Sequence, residues 1–178
     1  AIGSTLALFH FLINRNYNVV PVVPNAYPDF LKFLNGTEHI LVYEANPSLC
    51  ETELLSADIV FCLDFNSIER TGPVQESLKK INKPMLLIDH HLEPGNDFDF
   101  IFSDTKASST GELLYMFLKE VFTDVSLNYA IAENLYAAIM TDTGSFSFNC
   151  NNPLTYEIVA DLTRYKIDVE WIHRMVYD

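Results

Sequence analysis

Apolar positions along this chain follow two rhythms. Some recur every three or four residues, and others come as short unbroken runs. Ile2, Leu6, Phe9 and Ile13 follow the first rhythm, which predicts a helix over Ala1–Asn14 packed on a sheet. Asn18–Val23 is β-branched and apolar, but Pro21 within it and Pro24 just after push it towards an edge or an early stop. A short helix over Tyr27–Phe33 closed by Asn35-Gly36, a strand over His39–Tyr43 and a helix from Pro47 to about Leu55, capped by Asn46, come next. Ile59–Leu63 is an unbroken apolar run that ends in Asp64. Gly72-Pro73 opens a helix to about Lys80, and a second unbroken run, Met85–Ile88, leads into Asp89-His90-His91. After a loop at Pro94–Asp99, Phe100–Phe102 reads as a short strand. Helices are predicted over Gly111–Val121, Leu127–Met140, Pro153–Tyr165 and Val169–Tyr177.

Unbroken apolar runs are the mark of strands covered on both faces, and strands alternating with helices predict an α/β fold, a mainly parallel sheet flanked by helices. Asp64 and Asp89 each end a run and lie about 25 residues apart, close to the ~30 residues of one strand–helix–strand unit. Parallel strands joined in that way carry their carboxyl ends on one edge, where open α/β sheets hold their ligands.

Composition narrows the partners. The 178 residues fit one domain, with 49% hydrophobic and 20% charged residues. Net charge is −13, so long duplex nucleic acid is repelled, while a small phosphorylated substrate at a local metal site is not. No apolar run reaches the ~18 residues needed to span a bilayer, so no membrane partner is expected. Cys50, Cys62 and Cys150 are odd in number and widely spaced, which fits reduced thiols in a cytoplasm better than disulfides or a zinc ribbon.

The candidate chemistry lies where the strands end. Asp89-His90-His91 offers a carboxylate and two imidazoles, able to bind a metal, orient a ligand or move a proton, or else forms a plain polar turn. Asp64 at a strand end is a bridging ligand or a loop aspartate. Asp142 follows a long apolar helix and precedes Gly144; an acid at a helix C-terminus opposes the macrodipole and calls for a nearby cation. Ser108, Ser109 and Thr110 sit at a helix start, where hydroxyls and free N–H groups hold a phosphate or simply cap the helix ahead of Glu112. His10, His39 and His173 have no such company. Carboxylates with a few imidazoles suit Mn²⁺, Mg²⁺ or Fe²⁺, and two such ions roughly 3.5–4 Å apart clamp both oxygens of a phosphoryl transfer.

On these residues the chain resembles the DHH phosphoesterase family. The motif that names the family stands as Asp89-His90-His91, its isolated aspartate as Asp64, and a further motif as Thr141-Asp142-Thr143-Gly144-Ser145-Phe146. Ala107-Ser108-Ser109-Thr110-Gly111-Glu112 and Ile139–Phe146 are most similar to the nanoRNase / 3′-phosphoadenosine-5′-phosphate phosphatase branch, and the match covers nearly the whole chain. The resemblance implies a DHH-type N-terminal catalytic domain over residues 1–178 and a manganese-dependent hydrolase of short oligonucleotides or 3′-phosphoadenosine 5′-phosphate, with two Mn²⁺ per site and Mg²⁺ or Fe²⁺ as substitutes. It makes His90 a metal ligand, Asp64 a bridge between ions and Asp142 a ligand of the second ion. His91 faces the phosphate and protonates the leaving oxygen, and Asp89 orients the histidines. Rival expectations are a pyrophosphatase, an exopolyphosphatase, a cyclic-dinucleotide phosphodiesterase, or a nucleotide-binding module without catalysis. Oligomeric state is open, with a homodimer among the options. The family's first motif, a histidine and two aspartates, precedes an Ala-Ile-Gly-Ser sequence, which here is Ala1–Ser4. The expectation is therefore a catalytic domain cut ahead of those ligands, lacking the smaller C-terminal substrate domain and nearly inactive alone.

Overall fold

A computed structural model describes residues 1–178. In chain order the elements are α1 (Ile2–Ile13), β1 (Val22–Val23), β2 (Leu41–Val42), α2 (Pro47–Ser56), β3 (Val60–Leu63), α3 (Gln75–Lys79), β4 (Met85–Asp89), β5 (Phe100–Ser103), α4 (Thr110–Val121), α5 (Tyr129–Asp142), α6 (Pro153–Thr163) and α7 (Val169–Tyr177). All strand pairs are parallel: β1 with β2 in one small sheet, and β3-β4-β5 in a second. The expected α/β architecture is present, divided between two parallel sheets with seven α-helices around them.

β4 is the middle strand, buried along nearly its whole length. Its residues alternate between two apolar clusters. Ile88 belongs to the larger core with α1, α4, α5 and α6, and Met85 and Leu87 belong to a smaller one with Leu54, Cys62, Leu78 and Phe98. This explains the unbroken apolar run: a strand covered on both faces has no polar side. The register pairs Leu63 with Ile88 and Asp89 with Ser103, so Asp64 and Asp89 emerge on one edge.

α5 is the axis of the larger core, with every residue from Ile131 to Met140 buried. Two helices approach it at one point. A Cβ on Gly3 of α1 would lie 2.5 Å from the Asn134 carbonyl and 2.9 Å from the Ala138 nitrogen. A Cβ on Gly111 of α4 would lie 2.8 Å from the Ala138 Cβ. Backbones this close leave no room for a side chain on either glycine.

Four predicted elements differ, among them the His39–Tyr43 strand, which is reduced to Leu41–Val42 behind a 3₁₀ turn at Thr37–His39. The Asn18–Val23 strand shrinks to Val22–Val23, because the prolines remove ladder donors. The Tyr27–Phe33 helix is only a 3₁₀ turn at Asp29–Leu31. The helix expected from Gly72-Pro73 starts as a 3₁₀ stretch over Ile68–Val74, interrupted at Gly72 (φ 58°, ψ −120°), and becomes α-helical only from Gln75. β4 and β5 are joined by the His90–Asp99 segment without a helix, short for a parallel crossover. No helix is long and apolar enough to cross a membrane.

Helix propensity alone would make Gly111→Ala stabilising by about 1 kcal/mol. The contact with Ala138 reverses the sign: Gly111→Ala is expected to lose roughly 1–3 kcal/mol, read as a lower urea midpoint at unchanged slope.

Candidate active site

The site assembles where β3 and β4 end. β3 finishes with the Asp64 amide donating to the Ile88 carbonyl at 3.2 Å. The chain then turns through a left-handed conformation at Asp64 itself, with φ 67°. Aspartate tolerates that region better than most residues, but it is an uncommon state for any side chain other than glycine, and such outliers gather at functional sites. The turn leaves the carboxylate mostly buried on the sheet edge.

Asp64 Oδ1 accepts a hydrogen bond from the Thr110 hydroxyl at 2.8 Å. His90 stands between two acids: its Nε2 is 3.1 Å from Asp142 Oδ2 and 3.9 Å from Asp64 Oδ1. Its Nδ1 faces the Ala107 carbonyl at 3.4 Å. A ring with a carbonyl on one nitrogen and carboxylates on the other is best satisfied with both nitrogens protonated. Accordingly, the Asp142 hydrogen bond first of all, opposed by burial, holds His90 above its ordinary value of 6.5.

Asp142 occupies the last turn of α5 rather than lying beyond it. The cation its position on the helix dipole calls for is supplied here by His90. Asp89 is fully buried, and both its oxygens go to His91: Oδ1 meets Nδ1 at 2.7 Å and Oδ2 accepts the backbone N–H at 3.2 Å. That fixes the half-exposed His91 ring with Nε2 free. Donor atoms of Asp64, His90 and His91 lie within 4.8 Å of one another. Carboxylate oxygens and imidazole nitrogens converging at such range fit a divalent cation of the Mn²⁺, Mg²⁺ or Fe²⁺ type. His91, placed by the sequence opposite a phosphate, is thus within reach of a ligand position as well.

Ser108, Ser109 and Thr110 are brought to the same edge, but their side chains are at most 1% exposed. Ser109 Oγ caps α4 by accepting the Glu112 amide at 3.1 Å, and the Ser108 hydroxyl donates to Glu112. These hydroxyls, expected to hold a substrate, are engaged within the protein in this structure, Thr110 with Asp64. Sequence reasoning placed Glu112 in the first turn of this helix but missed its role: it is 1% exposed and gathers on one oxygen the Ser108 amide at 3.3 Å, the Ser108 hydroxyl, and the Thr155 hydroxyl at 2.7 Å. The Ser109-x-x-Glu112 spacing of a capping box was the available signal. His10 meets the Asn35 carbonyl, away from this cluster.

A family model described as the DHH family, N-terminal domain, matches residues 1–139. The bifunctional oligoribonuclease and PAP phosphatase NrnA of Bacillus subtilis is 26% identical over 159 residues, covering 88% of this chain and 50% of the relative. A probable protein of the same description from Streptococcus mutans is 32% identical over 92 residues, 52% of this chain and 29% of the relative. The crystal structure of an exopolyphosphatase-related protein from Bacteroides fragilis superposes with a TM-score of 0.97 at 36% identity, covering 99% of this chain and 52% of that one. The chain thus spans about half the length of the Bacillus relative and of the solved structure.

A proton on His90 Nε2 occupies the direction a cation would need, so the two compete. In the metal-free protein, the stability contributed by the raised His90 value is fully present below 6.5 and fades as pH rises through the folded value. Mn²⁺ affinity is expected to move oppositely, strengthening by up to about tenfold per pH unit across that window. Titration of Mn²⁺ at several pH values checks this, and His90→Ala is expected to flatten the profile.

Proposed function

The chain belongs to the DHH family, and from that premise we propose that it is the metal-binding catalytic part of a phosphoester hydrolase acting on short oligonucleotides or on 3′-phosphoadenosine 5′-phosphate. The observation that carries the proposal is the convergence of Asp64 and Asp142, from the ends of β3 and α5, on His90 Nε2. Asp64, His90 and Asp142 are the residues to hold the cation, with Mn²⁺ the metal of choice and Mg²⁺ or Fe²⁺ as substitutes. When bound, a divalent cation there lowers the pKa of a coordinated water towards neutrality and withdraws charge from phosphoryl oxygens.

The chain's own residues supply the rest. Asp89 accepts from His91 Nδ1, which fixes the ring and keeps its outer nitrogen available to the substrate. From that nitrogen His91 hands a proton to the oxygen that leaves phosphorus, so the departing alcohol does not carry away a negative charge. Thr110 and the left-handed turn at Asp64 keep that carboxylate aimed at the site. The substrate pairing follows from the names of the Bacillus and Streptococcus relatives. A second reading, hydrolysis of pyrophosphate or polyphosphate at the same residues, is favoured by the description of the Bacteroides structure. The three cysteines are free and buried, which supports a reducing cytoplasm as the location.

The deciding experiment is a panel of diadenylate, 3′-phosphoadenosine 5′-phosphate, pyrophosphate and cyclic di-AMP, offered with Mn²⁺ to the full-length protein. Turnover of the first two, abolished in Asp64→Asn, is expected; undiminished turnover in that variant would sink the assignment. His91→Ala is expected to lower kcat by about 10²–10⁴-fold while Mn²⁺ affinity changes far less. Equal losses in both would reassign His91 from proton donor to metal ligand.

A further inference from the structure

The segment after Asp142 carries features that the metal site does not use. Gly144, Ser145 and Phe146 are consecutively left-handed, with φ of 53°, 56° and 62°, and Asn149 is left-handed too. Backbone hydrogen bonds hold this unusual path. The Ser145 amide donates to the Met140 carbonyl at 2.8 Å, and the Ser147 and Phe148 amides donate to the Thr143 carbonyl at 2.8 and 2.9 Å. The Phe146 amide donates to the Thr143 hydroxyl at 3.1 Å.

The outcome is two phenylalanines with opposite fates. Phe146 turns inwards, its ring centroid 6.0 Å from Tyr136 and 6.2 Å from Tyr156. Phe148 turns outwards and is 68% exposed. Yet its ring is seated: a Cβ on Gly144 would lie 2.8 Å from Phe148 Cδ2 and 3.0 Å from Cε2. Gly144 is two residues from Asp142, so their Cα atoms are at most about 7 Å apart. A large apolar ring is thereby anchored next to the candidate active site with most of its surface in water.

Its surroundings indicate the ligand. Ser147 and Asn149 flank the ring and are exposed, offering a hydroxyl and an amide that can both donate and accept. From Thr143 to Thr163 there is no lysine, arginine or histidine. A groove for a polyphosphate tail would need such cations, whereas a flat uncharged ring system with hydrogen-bonding edges needs none.

We propose that Phe148 is a stacking platform for a nucleobase of the substrate, with Ser147 and Asn149 meeting the base edge. The inference rests on the phosphoester site described above and deepens it: the platform selects nucleotides over inorganic phosphate chains.

The test compares AMP with ribose 5-phosphate, which has the same phosphate and sugar but no base, binding to the full-length protein with Mn²⁺. The wild type is expected to prefer AMP by about 5–100-fold, the range of one base stacked on an aromatic ring. Phe148→Ala should bring the two affinities within about twofold, leaving Mn²⁺ affinity and melting temperature unchanged, and Phe148→Trp should restore the preference. Equal binding of both ligands by the wild type overturns the platform and leaves the phosphate site standing. Failure of both ligands to bind overturns the phosphate site and the platform with it. An unchanged preference in Phe148→Ala, or a fall in melting temperature and Mn²⁺ affinity together, assigns the ring to packing within the protein and overturns the platform alone.

Discussion

The arrangement depends on how closely α1 and α4 approach α5 at Ala138. Gly3 and Gly111 have no Cβ, and Ala138 has no more than one, so three helix backbones meet where ordinary side chains would hold them apart. Functional groups sit next to each of these contacts. Thr110 adjoins Gly111, and Asp142 is one helical turn beyond Ala138. Tight packing in the core therefore sets distances at the site. Interiors are close-packed, so a displacement of one methyl group at this junction would be transmitted to Asp142 and Thr110 rather than absorbed.

The junction brings together groups that repel one another. In a protein of net charge −13, Asp64 and Asp142 face the same imidazole nitrogen. Carboxylates gathered at a partly buried edge are unfavourable unless positive charge is shared among them. Here that charge comes from His90. A divalent cation supplies more charge in less space, and the network around the site is suited to holding it. Asp89 serves His91, Thr110 serves Asp64, and Glu112 secures the start of α4 that carries Thr110. Asp89 and Glu112 are thus satisfied by donors of their own, while donor atoms of Asp64, His90 and His91 stand close enough together to share one cation.

Much of this was legible along the chain. Apolar runs with no polar alternation marked β3 and β4 as doubly covered strands, and their first polar residues, Asp64 and Asp89, marked the edge. The position of Asp142 against the helix dipole called for a positive neighbour, and His90 is there. Other features were hidden for identifiable reasons. Prolines and a glycine shortened or interrupted two predicted elements, because loss of an N–H or a non-helical φ overrides an apolar pattern. The hydroxyls of Ser108 to Thr110 looked available for a ligand, since a sequence does not say which donors are already engaged.

The residue types and their spacing by themselves determined the α/β class, the strands that end in acids and the histidine pair, because these follow from period and from local chemistry. Tertiary structure alone decided that Thr110 would donate to Asp64, that Thr155 would reach Glu112, and that Phe148 would face water while Phe146 does not. Those outcomes depend on contacts between residues distant in the chain and on backbone angles at single positions, and neither leaves a periodic trace in the order of amino acids.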